Sequence, residues 1–307
     1  MGLNRLIVVA GPTGTGKSDL ALRLAERFDG EVINADSMQL YRGMDIGTAK
    51  LPSQERRGIA HHLLDVLDIS QRASVAAYQG AARQHVQNIL RRGRTPVLVG
   101  GSGLYISAVV DSIDFPGTDA AVRAELEAEL ARNGPGELHR RLERLDPAAA
   151  VAIEPANGRR LVRALEVMAV TGRPFTATMP VPGPPRFDAA LIRLDMETAV
   201  LDERLARRVR QMVAAGLVDE VAQLDALGLR AGVTASKALG YPQMLEVLDG
   251  LTGLEAAIDE TVRLTRRFVR RQRSWFRRDS RMQRLDAQSP DLLARVSRLV
   301  QMEPVAG

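Results

Sequence analysis

Residues 11–18, Gly-Pro-Thr-Gly-Thr-Gly-Lys-Ser, carry the first legible chemistry in this chain. They fit G-x-x-x-x-G-K-[ST], the phosphate-binding loop (P-loop) pattern, in which glycines let backbone N–H groups close on phosphate oxygens. The flanks agree. Leu6-Ile7-Val8-Val9-Ala10 reads as a buried strand, and Leu20, Ala21, Leu24 and Phe28 fall at helical spacing after the loop. A helix N-terminus there offers unpaired amides and a positive dipole end to an anion. Lys17 is expected to reach the terminal phosphates, and the Ser18 hydroxyl to help hold a magnesium ion. Gly11, Pro12, Thr13, Gly14, Thr15, Gly16, Lys17 and Ser18 are thus the candidate diphosphate- or nucleotide-binding residues.

A phosphate loop names a ligand class and leaves the reaction open. The next reactive group is Asp36, which immediately follows the strand expected at 31–35. An acid at the carboxyl end of a strand beside the loop strand projects into the ligand crevice of an open α/β sheet. There it can take a proton from a nucleophile attacking a group held at the phosphates, although a helix-capping aspartate would look the same. No clear second aspartate of the kind that holds magnesium in nucleotide-hydrolysing motors follows another apolar strand. Run 96–100 ends in Gly-Gly, and Leu194-Asp195 is the other candidate.

The elements that must position these groups alternate. Strand 6–10, helix 17–28 and strand 31–35 are followed by an irregular stretch to about residue 73. Helix 74–92 and strand 96–100 come next, then a glycine turn at 101–103 and a helix from Leu104. Alternation of this kind implies a parallel sheet. From 115 to about 175 only helical signals occur, with Leu126 and Leu130 on one face, Leu138 and Leu142 on another, and Leu161, Leu165 and Met168 on a third. Met179–Pro185 holds four prolines and a glycine in seven residues and reads as a linker. A strand at 189–194 then returns to the sheet, followed by helices 199–214, 217–227 and 254–278. The expected architecture is α/β, a P-loop NTPase-like parallel sheet flanked by helices, with a helical insertion. The expected boundaries are 1–114 and 186–280 for the core, 115–185 for the insertion, and 281–307 for a tail with a short helix.

Composition excludes several classes. The chain has no cysteine, so disulfides, thiolate zinc sites and cysteine nucleophiles are ruled out. Its four histidines lack metal-ligand spacing. No apolar run approaches a membrane span and no signal-peptide order opens the chain, so a cytoplasmic protein without a membrane partner is expected. The net charge of +5 becomes −3 once the eight arginines of residues 263–278 are set aside, and that segment contains no acid. Arg266, Arg270, Arg273 and Arg277 recur there at i, i+4, i+7 and i+11, a basic helical stripe suited to phosphates. With 39 arginines against three lysines, however, arginine is this chain's default cation. Solvation of a helix face is therefore the competing account.

Further runs make a resemblance specific. Asp36-Ser-Met-Gln39, Tyr41-Arg-Gly-Met-Asp-Ile-Gly-Thr-Ala-Lys50 and His61-His-Leu-Leu-Asp65 occur in that order. Gly100-Gly-Ser-Gly-Leu-Tyr105, Arg163-Ala-Leu-Glu-Val167, Gly240-Tyr241 and the segment from Thr265-Arg266 to Trp275-Phe276-Arg277 follow. Over residues 5–278 the chain resembles the bacterial tRNA dimethylallyltransferase (tRNA isopentenyltransferase) family. Members transfer the dimethylallyl group of dimethylallyl diphosphate to the exocyclic amine of the adenine 3′ of the anticodon.

The resemblance implies Asp36 as the base and Thr13 as a hydrogen-bonding partner near the reacting groups, both catalytic. It implies Arg208, on the helix after the insertion, as a diphosphate contact, and Mg²⁺ as the cofactor. It places Asp36, Ser37, Met38, Gln39 and Ser102 around the target base. Arg123, Arg159, Arg160, Leu161, Val162 and Arg163 of the insertion would meet the tRNA anticodon stem-loop, together with Arg266, Arg270 and Arg273. Partners are then tRNA and dimethylallyl diphosphate, acting on a monomer. Departures from the family pattern are small: Gly14-Thr15 stands for Ala-Ser, Ser18 and Ser102 stand for threonines, and Pro242 replaces a frequent basic residue. A P-loop small-molecule kinase, an RNA-binding NTPase switch and a transferase that prenylates free AMP remain the rival readings.

Overall fold

A computed structural model describes residues 2–113, 115–176 and 184–302. Two compact units emerge: residues 1–110 with 184–307, and residues 111–183. The expected linker at 179–185 lies mostly outside the described residues.

The first unit is built on six parallel strands in the order β3-β2-β4-β1-β5-β6. In chain order it begins with β1 (Leu6–Ala10), α1 (Lys17–Arg27), β2 (Gly30–Asn34) and β3 (His61–His62). Then come α2 (Val75–Arg91), β4 (Thr95–Gly100) and α3 (Gly103–Val110). Strand β1 lies between β4 and β5, pairing Val8 with both Leu98 and Leu191. Its side chains alternate between two cores, as a strand covered on both faces requires. Leu6, Val8 and Ala10 pack with Tyr78, Val86, Ile89 and Ile106 on one side. Ile7 and Val9 pack with Leu20, Leu24, Phe28, Val296 and Val300 on the other.

The second unit is helical: α4 (Ala120–Leu145), α5 (Pro147–Ala152) and α6 (Gly158–Thr171). Asp119 caps α4 and Asn157 caps α6 by accepting first-turn amides, and α4 is broken at Gly134, whose φ of 75° precedes Pro135. The leucines that sequence spacing spreads over three faces converge on one core, with Leu126, Leu138, Leu142, Leu161 and Leu165 all buried.

The first unit resumes with β5 (Ala189–Asp195), α7 (Thr198–Ala214), α8 (Leu217–Ala226), α9 (Tyr241–Leu248) and α10 (Leu254–Phe276). It ends with β6 (Gln283–Asp286) and α11 (Leu292–Gln301). Three elements were not expected from the sequence. Strand β3 is two residues long, too short for a periodic signal, and β6 buries only Leu285. Helix α9 is eight residues, with Pro242 at its start. No helix among the described residues is long and apolar enough to cross a membrane.

Candidate active site

The carboxyl ends of β1, β2 and β4 converge on one crevice, because a parallel sheet puts every strand's exit loop on the same edge. From β1 comes the P-loop. Gly14 and Gly16 adopt φ of 86° and 81°, a left-handed conformation that side chains resist, and Gly16 caps α1. The loop is braced from within: Thr15 Oγ1 donates to the Pro12 carbonyl at 2.8 Å and Lys17 Nζ to the same oxygen at 2.6 Å. The first turn of α1, with Lys17 and Ser18, leaves amides without intrahelical acceptors.

Strand β2 delivers Asp36. Asn34, buried at the strand end, accepts the Asp36 amide at 2.9 Å and donates to the carbonyls of Asp36 and Leu63. Asp36 Oδ1 accepts the Met38 amide at 3.0 Å, which holds the carboxylate in place. The Ser37 amide donates to Ser102 Oγ at 3.4 Å, joining this segment to the turn after β4. Gln39 Nε2 donates to the Thr48 carbonyl at 3.0 Å, and its side-chain oxygen accepts no hydrogen bond among the described residues.

Two side chains from later in the chain complete the crevice. Gln272 on α10 is buried; its oxygen accepts the Thr13 amide at 3.1 Å and its amide donates to the Gly101 carbonyl at 2.9 Å. One side chain thus ties the P-loop to the β4 glycine turn. Arg208 on α7 donates to Thr13 Oγ1 at 3.4 Å.

Burial sets the electrostatics. It pushes the Asp36 carboxyl above its ordinary range, against the Met38 amide, Lys17 and Arg208, which favour the anion. It pushes the Lys17 ammonium down to about 7, opposed by Asp36 and reinforced by Arg208. A raised carboxyl and a lowered ammonium that feel one another's charge mark this crevice as the place where protonation states are tuned.

The crevice has two chambers. One, of about 570 Å³, is polar and lined by Lys17, Ser18, Gln39, His61, Arg204 and Arg207. The other, of about 480 Å³, is more apolar and lined by Met38, Leu205, Met212, Phe268 and Trp275. Thr13, Asp36, Thr48, Gly101, Arg208 and Gln272 belong to both, so Asp36 stands at the junction.

The loop that carries Thr48 is held by groups that sequence reasoning missed. Glu220 on α8 accepts the amides of Asp45, Ile46 and Gly47 at 3.0, 2.6 and 3.1 Å, and the Tyr241 hydroxyl at 2.7 Å. Buried Lys50 bridges Asp45 and Asp65, each at 2.5 Å. Glu220 sits in an ordinary amphipathic helix pattern and gives no local signal of this role. Gln272 and Trp275 lie within a run that the resemblance quotes, but nothing in the run says what they touch.

The structure therefore brings together residues 11–18, Asp36–Gln39, Ser102 and Arg208. It corrects other expectations. Leu161 and Val162 are core residues of the helical unit, so their side chains are not surface RNA contacts. Arg123 and Arg163 both clamp fully buried Glu166; Arg163 is 2.8 Å from it and also donates to the Pro116 carbonyl at 2.7 Å. Burial alone would raise the Glu166 carboxyl, and the two guanidiniums hold it below its usual range. Arg159 and Arg160 remain exposed.

On α10 the expected stripe divides. Arg273 pairs with Asp195 at 2.8 Å and donates to the Met196 carbonyl, and Arg266 lies 3.5 Å from Asp202. Arg270 is exposed, as are Arg267 and Arg271, which the stripe omitted. Asp195, the alternative magnesium-side acid, is engaged by Arg273 and is not a lining residue of either chamber.

A glycine loop at a helix N-terminus, a half-buried carboxylate beside it and an apolar chamber beyond define a P-loop group-transfer protein. Such an arrangement holds a phosphorylated donor on one side of the carboxylate and an acceptor on the other. Residues 39–279 match the family model described as IPP transferase. The tRNA dimethylallyltransferase of Saccharopolyspora erythraea is 61% identical over 296 residues, covering 96% of each chain. That of Streptomyces griseus is 60% identical over 278 residues, 91% of this chain and 89% of its own. This chain belongs to the tRNA dimethylallyltransferase family.

Solved structures agree. The full-length tRNA isopentenylpyrophosphate transferase of Bacillus halodurans has a TM-score of 0.70 at 40% identity, covering 97% of both chains. A eukaryotic dimethylallyltransferase acting on tRNA has a TM-score of 0.82 at 28% identity, covering 96% of this chain and 77% of its own.

Proposed function

We propose that this enzyme transfers the dimethylallyl group of dimethylallyl diphosphate to the exocyclic amine of the adenine 3′ of the anticodon in tRNA. The observation that carries this reading is the position of Asp36, on the wall shared by a polar and an apolar chamber. An adenine amine is a weak nucleophile because its lone pair is delocalised into the ring. It gains from losing its proton as it attacks, and Asp36, half-buried with its carboxyl raised, is the base that lines both chambers. The new N–C bond forms at the allylic carbon, the C–O bond to diphosphate breaks, the proton passes to the Asp36 carboxylate and diphosphate departs.

Charge develops on the diphosphate as that bond breaks. The P-loop amides, Lys17 and Arg208 are fixed donors on that side, which favours the transition state over the ground state. Thr13, hydrogen-bonded to both Arg208 and Gln272, sits where donor and acceptor meet. A magnesium ion fits the polar chamber beside Ser18. Among the described residues no group of three acidic or imidazole side chains could hold one alone, so substrate phosphate oxygens and water would complete its shell. Bound there, magnesium would neutralise diphosphate charge.

On the acceptor side, the free Gln39 oxygen suits an amine N–H, and Ser37, Met38 and Ser102 line the approach. Exposed Arg159 and Arg160 of the helical unit, and Arg267, Arg270 and Arg271 of α10, supply phosphate contacts to the anticodon stem-loop. One chain lines both chambers, which supports a monomer, and a tRNA substrate supports a cytoplasmic location.

The deciding experiment incubates the protein with unmodified tRNA and labelled dimethylallyl diphosphate, with AMP and ATP as competitors. Label in the tRNA at the adenosine 3′ of the anticodon is the expected result. Label in AMP alone, or phosphate transfer from ATP, would replace this reading with a rival.

A further inference from the structure

Trp275 is the only tryptophan in the chain, and it is 43% exposed at the apolar chamber. One side of its indole lies against the backbone of Gly103. A β-carbon there would fall 2.1 Å from the ring Cδ1 and 2.3 Å from Nε1, so only glycine admits the ring. The indole N–H makes no hydrogen bond among the described residues. Phe268 and Arg271 line the same chamber, two turns and one turn back along α10, and the Arg271 guanidinium lies 5.8 Å from the Phe268 ring centroid. At positions i, i+3 and i+7, the three share one helix face. Leaving a large aromatic half in water costs hydrophobic stabilisation, and neither packing nor hydrogen bonding within this unit explains it.

We propose that Trp275, flanked by Arg271 and Phe268, is a stacking platform for a tRNA base next to the target adenosine. This rests on the function proposed above. Swinging an adenine out of the anticodon loop breaks its stacking on both neighbours. A flat π-face at the chamber mouth replaces what a neighbour loses, whatever its identity, and stacks against purine or pyrimidine alike. The exposed guanidiniums of Arg267, Arg270 and Arg271 on the same helix hold the adjoining phosphates. Trp275 is then a binding residue for the acceptor with no part in proton transfer.

Because Trp275 is the sole indole, its fluorescence reports this site alone. The full-length enzyme is titrated with an unmodified anticodon stem-loop and, separately, with dimethylallyl diphosphate. RNA is expected to quench the emission in parallel with binding, and the diphosphate alone to leave it nearly unchanged. Trp275→Leu keeps an apolar filler without a π-face. It should raise the tRNA KM about 5- to 100-fold, with kcat and the dimethylallyl diphosphate KM little altered. Trp275→Phe should restore most of the loss, which a merely structural role would not require. Saturating RNA without quenching, or equal tRNA KM values for wild type and Trp275→Leu, would overturn the platform even where prenyl transfer proceeds. Absence of prenyl transfer by the wild-type enzyme would instead refute the function on which it rests.

Discussion

Replacing Lys17 by arginine should remove the alkaline limb of the kcat/KM profile for dimethylallyl diphosphate while leaving the acid limb in place. Burial lowers the Lys17 ammonium to about 7, with Asp36 opposing and Arg208 assisting. Only the protonated form pairs with diphosphate. The kcat/KM of the free enzyme should therefore fall about tenfold per pH unit above about 7. Once substrate is bound, one phosphate charge at about 4 Å is worth roughly 4 kcal/mol at an effective dielectric of about 20. At about 1.4 kcal/mol per unit, that lifts the ammonium by about three units. The kcat limb should accordingly lie about three units above the kcat/KM limb.

Arginine stays protonated throughout, so Lys17→Arg should flatten kcat/KM between about pH 7 and 9, from a plateau lowered by its different shape. The acid limb belongs to Asp36, whose raised pKa makes activity rise with pH as the base ionises. Initial rates with varied dimethylallyl diphosphate, from about pH 5.5 to 9.5 at constant ionic strength, give both profiles. Ionisation of the substrate is common to both enzymes and cancels in their ratio. Identical alkaline limbs would refute the argument, since the lysine proton would then have no part in substrate binding.

Asp36→Asn keeps the shape and removes the base, so kcat should fall about 10²–10⁴-fold while dimethylallyl diphosphate still binds in equilibrium titrations. Loss of that carboxylate also takes away the charge that raises Lys17, so diphosphate affinity should weaken more at alkaline than at acid pH. Neutralising Arg267, Arg270 and Arg271 together should lower the log–log salt slope of tRNA binding by about 0.7–0.9 for each phosphate that is no longer neutralised. Arg273→Ala should instead lower the denaturation midpoint, since it leaves Asp195 with only the more distant Arg284 at 3.8 Å and removes the donor to the Met196 carbonyl; a large salt-slope change there would reverse this division. Glu220→Ala leaves three amides and the Tyr241 hydroxyl without their acceptor, and should cost about 2–4 kcal/mol in urea unfolding. It should also raise the tRNA KM, because Thr48 anchors Gln39; an unchanged KM would detach that loop from base recognition.

Much of this protein was legible in the chain because the deciding physics is local. A glycine loop between an apolar strand and an amphipathic helix has few other structures open to it, and its phosphate chemistry follows from backbone amides alone. The same holds for the α/β class, for the helical character of residues 115–175, and for an acid at a strand end facing the crevice. Short elements escaped for the converse reason: His61–His62 and Gln283–Asp286 pair with a sheet whose order no local pattern encodes.

The fate of individual polar groups was decided by the tertiary structure. Helical spacing puts Arg266, Arg270 and Arg273 on one stripe, yet Arg273 is taken by an aspartate 78 residues away and Arg266 by a carbonyl 64 residues away, while Arg270 stays exposed. Gln272 joins two glycine loops 259 and 171 residues distant, and so stands in the wall that the polar and apolar chambers share. Periodicity fixes the direction in which a side chain leaves its helix. What it meets there depends on which distant strand or loop the sheet order brings alongside, and that partner determines whether a charge holds the fold together or remains available to a substrate.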